Sequence, residues 1–228
     1  MVHFTLFGIP VYIRPSFWVV LAIFGGALSI SSVEDLIYPA LFVIAGFVAI
    51  LSHEMGHALV GRKLGGGQQT IVLELFGGLT SSHGMQLTRG GRALMILAGP
   101  MMTLLLGIIS LGLTWNIVAP VMTSYNLNFW DLAISPFTAA LISPKLYILS
   151  CLIMIGEWWT ILNLLPIYPL DGGQLIAQYI RSPRKVFMTG SITAILIGLL
   201  SFQLFHGYFI PIFMALFAYS NYREYKNA

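Results

Sequence analysis

Two histidines and a glutamate stand together in LSHEMGH, residues 51–57, at the end of a long apolar run. His53 and His57 are four residues apart. On a helix such side chains share one face and can meet a single metal ion, with Glu54 beside them as a base. Zinc suits this HExxH arrangement, because neutral imidazole is a good ligand for it and a neighbouring carboxylate can take a proton from water. With five histidines and five glutamates in 228 residues, a chance match is expected about 0.002 times per chain, so the pattern is specific. A pair of helix-end histidines that is merely hydrogen-bonded is the alternative. Burying His, Glu and His without a metal, however, leaves several polar atoms to satisfy.

A catalytic zinc usually takes three protein ligands and keeps one open position. His3 near the terminus, His206 in a turn and His83 after a glycine-rich segment are unconvincing as the third. Asp171, in NLLPIYPLDGG (163–173), is the better candidate. Pro166 and Pro169 predict a break in the helix before it, and Gly172-Gly173 leave the backbone free to turn, so an acid sits on unwound chain among apolar spans. A helix N-cap for the segment Gly172 to Tyr179 is the other reading of Asp171. Glu157, before WWT, reads more simply as paired with a polar group in the bundle than as facing the site. The sequence assigns Glu74 no role. Cys151, the single cysteine, reads as packing in an apolar helix.

The elements that must position these groups belong in a bilayer. The chain is 57% hydrophobic and 8% charged, with a mean hydropathy of +0.86, and it predicts an all-α polytopic membrane protein. Apolar runs near residues 16–33, 36–60, 92–114, 146–165, 186–204 and 207–221 predict about six transmembrane helices, the last one short. In that arrangement every lysine and arginine except Lys145 falls on one side, which makes that side cytoplasmic and puts both termini there. The net charge of +3 then reflects topology and lipid contact, at RSPRK 181–185 for example, and not nucleic-acid binding. Residues 115–145 form an external connection with Trp115 and Trp130 as interface anchors. Two stretches break the helical pattern: FTLFGIPVYIRPS near the start, and TIVLELFGGLTSSHG, 70–84, with β-branched residues and a Gly77-Gly78 bend. Both predict a small membrane-embedded β-sheet or hairpin near the cytoplasmic face. The strand from Ile71 through Leu73 and Leu75 to Gly77 and Gly78 is expected to offer an edge to which an extended peptide adds.

HEMGH in the second span, then FGGL, AGP at 98–100 and NLLPIYPLDGG, together with the FGIPVYIRPSF opening, resemble the site-2 proteases, zinc metalloproteases that cut membrane-spanning segments. The resemblance covers most of the chain and implies a single intramembrane metalloprotease domain over 1–228. Its catalytic spans would lie at about 36–180 and a C-terminal helical hairpin at about 186–221. It implies one Zn2+ per chain held by His53, His57 and Asp171, with Glu54 as catalytic base and Asn163 helping to bind substrate or the transition state. The implied substrate is a single-span membrane protein already trimmed by another protease, and the implied location is a prokaryotic cell membrane. Three positions after Pro100, where the family commonly has asparagine, stands Thr103. No PDZ module or CBS domain is visible in these residues.

Other function classes are weaker. A di-iron desaturase needs many more than five histidines. A transporter, or a non-catalytic binder of transmembrane helices, would not need the complete set of His53, Glu54, His57, Asp171 and Asn163.

Overall fold

In a computed structural model the chain is described over residues 1–75, 77–84, 86–125, 128–133 and 135–228. It divides into two compact units, Met1–Thr160 and Ile161–Ala228.

The first unit opens with a hairpin of β1 (Val2–Leu6) and β2 (Ile9–Ile13). Its two-residue turn takes positive φ at both positions, 50° at Phe7 and 75° at Gly8, the turn geometry that matches the twist of paired strands. Arg62, near the end of α2 (Ile37–Gly65), donates from Nη1 to the Phe7 carbonyl at 2.7 Å and so clasps this turn. The chain passes through α1 (Pro15–Phe24) and α2 before returning as β3 (Gln68–Glu74) and β4 (Gly77–His83). The four strands form one sheet in the order β1-β2-β3-β4. The central pair β2 and β3 is parallel and the outer pairs are antiparallel. A parallel pair requires a long crossover, which the two helices provide. Arg14 prolongs the central pairing, donating its N–H to the Leu73 carbonyl at 2.9 Å and its guanidinium to Glu74 at 2.7 Å. Alternate residues of β2 and β3 (Val11, Ile13, Ile71 and Leu73) are fully buried against Phe17 of α1 and Ile50 of α2, the period-two burial that fixes a strand's register.

Both stretches read as non-helical thus join one sheet. The expected open edge at Ile71 to Leu75 is corrected. β3 is an interior strand, with β2 paired along Ile71–Leu73 on one side and β4 along its whole length on the other. Ile71 and Leu73 are fully buried, and Leu75 lies in the turn that follows. The reason is that the N-terminal hairpin takes the edge that β3 alone would have offered. The outer strand on that side of the sheet is β4, which carries Gly77 and Gly78.

The unit continues through α3 (Arg89–Tyr125), the short α4 (Phe129–Ala133) and α5 (Pro136–Ala140), and α6 (Pro144–Leu164), within which the division between units falls. Of the expected external connection, Asn126, Leu127 and Ile134 lie outside the described residues, as does Phe76 of the FGGL motif. Trp115 and Trp130 are both exposed.

The second unit holds α7 (Asp171–Ala177), α8 (Pro183–Phe205) and α9 (Phe209–Asn227). The last two pack together around Ile167, Ala194, Met214 and Ala218.

Among the described residues four helices are long and apolar enough to cross a membrane: Glu34–Gly65, Arg89–Ala119, Pro144–Leu164 and Pro183–Leu204. The protein is a multi-pass integral membrane protein. The first expected span, 16–33, is shorter as a helix, because Gly25 caps α1 and Gly26 turns the chain at φ 87°. The last, 207–221, is helical from Phe209 as part of α9, whose final turns carry Arg223, Glu224 and Lys226.

Candidate metal centre

A 3.6-residue period stacks His53 and His57 on one face of α2, and both are buried. Their Nε2 atoms stand 3.1 Å apart and the rings meet edge to face at 4.7 Å between centroids. His57 Nδ1 lies 2.9 Å from the Met95 carbonyl of α3. A carbonyl only accepts, so the Nδ1 proton is fixed there and Nε2 presents its lone pair, the tautomer a metal needs. Two imidazole nitrogens on one tetrahedral zinc, at about 2.0–2.1 Å each, stand about 3.3 Å apart. The observed pair is close to that spacing.

The helix opposite is cut away to make room. A Cβ on Gly99 of α3 would fall on the His57 ring and 2.9 Å from His53 Nε2. In return, a Cβ on Gly56, between the two histidines in sequence, would meet the Ala98 backbone. Glycines facing across two apolar helices let the backbones approach closely, and here the space gained is filled by imidazole. Donor type, tautomer, spacing and cradle all fit zinc.

Glu54 is buried beside the pair. Thr80 of β4 donates its hydroxyl to Glu54 Oε2 at 2.7 Å and lies 3.1 Å from the Glu54 backbone carbonyl. A Cβ on Gly78 would fall on the glutamate side chain, so the strand can lie against the acid only because that residue is glycine. Gly77, at φ 121°, leaves room for the Trp159 indole of α6 at a position where a Cβ would stand 2.6 Å from it. Trp159 in turn stands edge-on to His53 at 6.5 Å. Gly77 and Gly78 therefore border the histidine and glutamate side chains.

Thr103 is fully buried. Its Oγ1 lies 2.8 Å from Thr160 Oγ1 and donates to the Pro100 carbonyl at 3.0 Å, which ties α3 to α6 one turn of helix beyond Ala98-Gly99-Pro100. The hydroxyl thus does a packing job at the position where the motif comparison leads one to look for asparagine.

In the second unit, α6 ends at Leu164, two residues before Pro166, as a residue preceding proline favours. Asp171 is buried and opens α7. The N-cap position belongs to Leu170, which makes no side-chain cap. The N-cap reading of Asp171 is therefore not what is observed: the carboxylate is one residue inside the helix. Gly172 and Gly173 bring α7 directly onto the backbone, since a Cβ on either would collide with the carbonyls of Leu164 and Leu165 or with the Ile167–Tyr168 peptide. Asn163 is buried in the last turn of α6.

Some sequence candidates lie elsewhere. Glu157 is exposed on α6, Glu74 is held by Arg14, His83 is exposed at the end of β4, and His3 stacks on Tyr12. Sequence reasoning gave Gly56, Gly99 and Thr80 no part in the site. For the glycines, the signal was small residues in two consecutive apolar spans; for Thr80 there was none.

Known proteins show the same architecture. A solved site-2 protease from Methanocaldococcus jannaschii matches over 98% of this chain and 94% of its own, with a TM-score of 0.62 at 24% identity, which is a likeness of fold. A zinc metalloprotease of Methanocaldococcus jannaschii is 29% identical over 95% of this chain and 57% of its own length. A Synechocystis protein is 28% identical over 77% of this chain and 43% of its own. The chain thus spans about half the length of these curated relatives. Residues 41–205, which include His53, Glu54, His57, Asn163 and Asp171, match the model of peptidase family M50, and the chain belongs to that family, as the site-2 protease resemblance of its motifs implied.

Proposed function

We propose that the protein is a zinc-dependent intramembrane endopeptidase in which His53, His57 and Asp171 hold one zinc ion. The observation that carries the reading is the pair of Nε2 atoms 3.1 Å apart, with His57 locked by Met95 and a braced Glu54 alongside. Family membership and the name of the 29%-identical relative, a zinc metalloprotease, support it. Asp171 is the third ligand because it is a buried acid on chain that Pro166 and Pro169 keep out of α6.

A zinc ion held by His53, His57 and Asp171 would supply Lewis acidity, lowering the pKa of a nearby water and polarising a peptide carbonyl. Glu54 is the base. Thr80 donates to Oε2, which leaves Oε1 to accept the proton of the attacking water and pass it to the leaving nitrogen. The Asn163 amide is assigned to the developing oxyanion. Water reaches the site from the cytoplasmic end of α2, where Arg62 follows His57 by five residues, about 7.5 Å of helix.

The substrate is a single-span membrane protein, already trimmed by another protease. A helix must unwind to expose a carbonyl, and the outer strand β4, which braces Glu54 through Thr80, is the edge to which the unwound segment adds. A photo-crosslinker at Leu79 of β4 should capture a bound substrate and one at buried Leu73 should not; capture from Leu73 alone would sink the edge assignment. The topology is six crossings, the first made by α1 together with the chain from 25 to 36 that follows it and the last by α9, with both termini in the cytoplasm. The chain functions as one protease domain, and the membrane is that of a prokaryotic cell.

The test is zinc content and cleavage of a panel of single-span membrane helices by purified wild type, Glu54→Gln and Asp171→Ala. About one zinc in wild type and Glu54→Gln, little in Asp171→Ala, and a cleavage loss of about 10² to 10⁴-fold in Glu54→Gln are expected. Cleavage by Glu54→Gln at the wild-type rate would refute the role of Glu54.

A further inference from the structure

The C-terminal hairpin holds a buried polar group that the chemistry above does not use. Asn221, on α9, is 1% exposed. An amide among apolar side chains is costly unless its hydrogens are satisfied. Both are: Nδ2 donates to the Phe217 carbonyl one turn back on α9 at 2.9 Å, and to the Tyr168 carbonyl at 2.6 Å. The second bond leaves the hairpin for the loop that leads into α7, whose first residue, Asp171, stands three residues further on. α8 is shaped for this contact, since a Cβ on Gly190 would collide with the Asn221 side chain and stand 3.4 Å from the Ile167 Cα. The neighbouring loop carbonyl is held in the same way, by Gln174 Nε2 on Pro169 at 2.9 Å. Tyr168 also stands edge-on to Phe187 of α8 at 5.6 Å.

From these contacts we infer that Asn221 is a positioning residue for the metal centre, setting Asp171 through the Tyr168 carbonyl, with Gly190 as the slot that admits it. This rests on the reading of Asp171 as zinc ligand. The loop between Leu164 and Asp171 has no helix or strand of its own to hold it. Side-chain amides on two adjacent carbonyls, together with the glycine contacts of α7, fix it at both ends. The α8–α9 hairpin is then part of the apparatus that presents a ligand carboxylate, beyond any part it has in spanning the membrane.

The experiment uses the full chain, zinc-loaded and in detergent, and follows zinc release to an excess of a chelator beside the melting temperature. Asn221→Asp keeps the shape of the side chain and leaves at most one donor, so that it cannot hold both carbonyls; Asn221→Leu removes both donated hydrogens with an apolar group of similar size. Ser201→Ala, which deletes a buried hydroxyl donating to Gly198 within α8, controls for general loosening of the hairpin. Both Asn221 variants should release zinc roughly ten- to a hundredfold faster, the range typical for groups that orient metal ligands, and Ser201→Ala at the wild-type rate. With cobalt(II) in place of zinc, the visible absorption should shift in the Asn221 variants only. Wild-type zinc release and an unshifted cobalt spectrum in both Asn221 variants would overturn the inference, as would equal release from Ser201→Ala. Asp171→Ala distinguishes the layers: if it retains zinc like wild type, the ligand assignment fails and takes the positioning role with it.

Discussion

Gly99→Ala is the substitution whose effect can be worked most fully from the structure. A methyl group there would stand 2.9 Å from His53 Nε2 and still closer to the His57 ring. Ordinary carbon–nitrogen contact begins at about 3.4 Å, so the nearer ring must move by more than about 0.5 Å. Metal–ligand distances tolerate shifts of about 0.2 Å. The rings cannot give way along α2, because His57 Nδ1 is bonded to the Met95 carbonyl of the same helix that carries Gly99. One imidazole should therefore be lost as a ligand. Zinc affinity should fall at least about a hundredfold, which is about 2.7 kcal/mol. The control is Gly112→Ala on the same helix, where a Cβ meets nothing within 4 Å. There the change should leave zinc affinity alone and raise helix stability by up to about 1 kcal/mol. Competition with a chromophoric chelator measures both affinities. Wild-type affinity in Gly99→Ala would refute the cradle, and an equal loss in Gly112→Ala would show that any alanine in α3 has the same effect.

Thr80→Val removes the hydroxyl that donates to Glu54 Oε2; cleavage should drop roughly ten- to a hundredfold with zinc content unchanged, and loss of zinc would place Thr80 among the groups that hold the metal. Thr103→Val breaks a buried 2.8 Å contact with Thr160 Oγ1; a cost of about 1 kcal/mol should appear as a lower melting temperature with zinc retained, and an unchanged melting temperature would count against the α3–α6 tie. Reporter fusions should read cytoplasmic after Lys63 and after Lys185 and external near Asn128, whereas the reverse pattern would invert the topology.

The local parts of the site could be read from the chain and the long-range parts could not. His53, Glu54 and His57 announce themselves because helix geometry converts a four-residue spacing into a shared face. Pro166 and Gly172-Gly173 likewise announce an interrupted backbone ahead of Asp171. The parallel pairing of Val11 with Ile71 was not legible, because it joins strands separated by two helices. Without it β3 looked like an edge, and the exposed side of the sheet was assigned one strand too early. Gly99 and Gly190 were missed for a related reason. A glycine in an apolar helix shows its meaning only through what occupies the missing Cβ, here an imidazole and an amide from other helices. The first span was overestimated because apolar composition continues past Gly26 although the helix does not.

The most direct test is X-ray absorption at the zinc edge on the purified protein, wild type and Asp171→Ala. The account predicts about one zinc per chain with two imidazole nitrogens and oxygen donors at about 2.0–2.2 Å, and loss of the metal or of an oxygen donor in Asp171→Ala. A wild-type spectrum without imidazole scattering, or an unchanged coordination shell in Asp171→Ala, would contradict it.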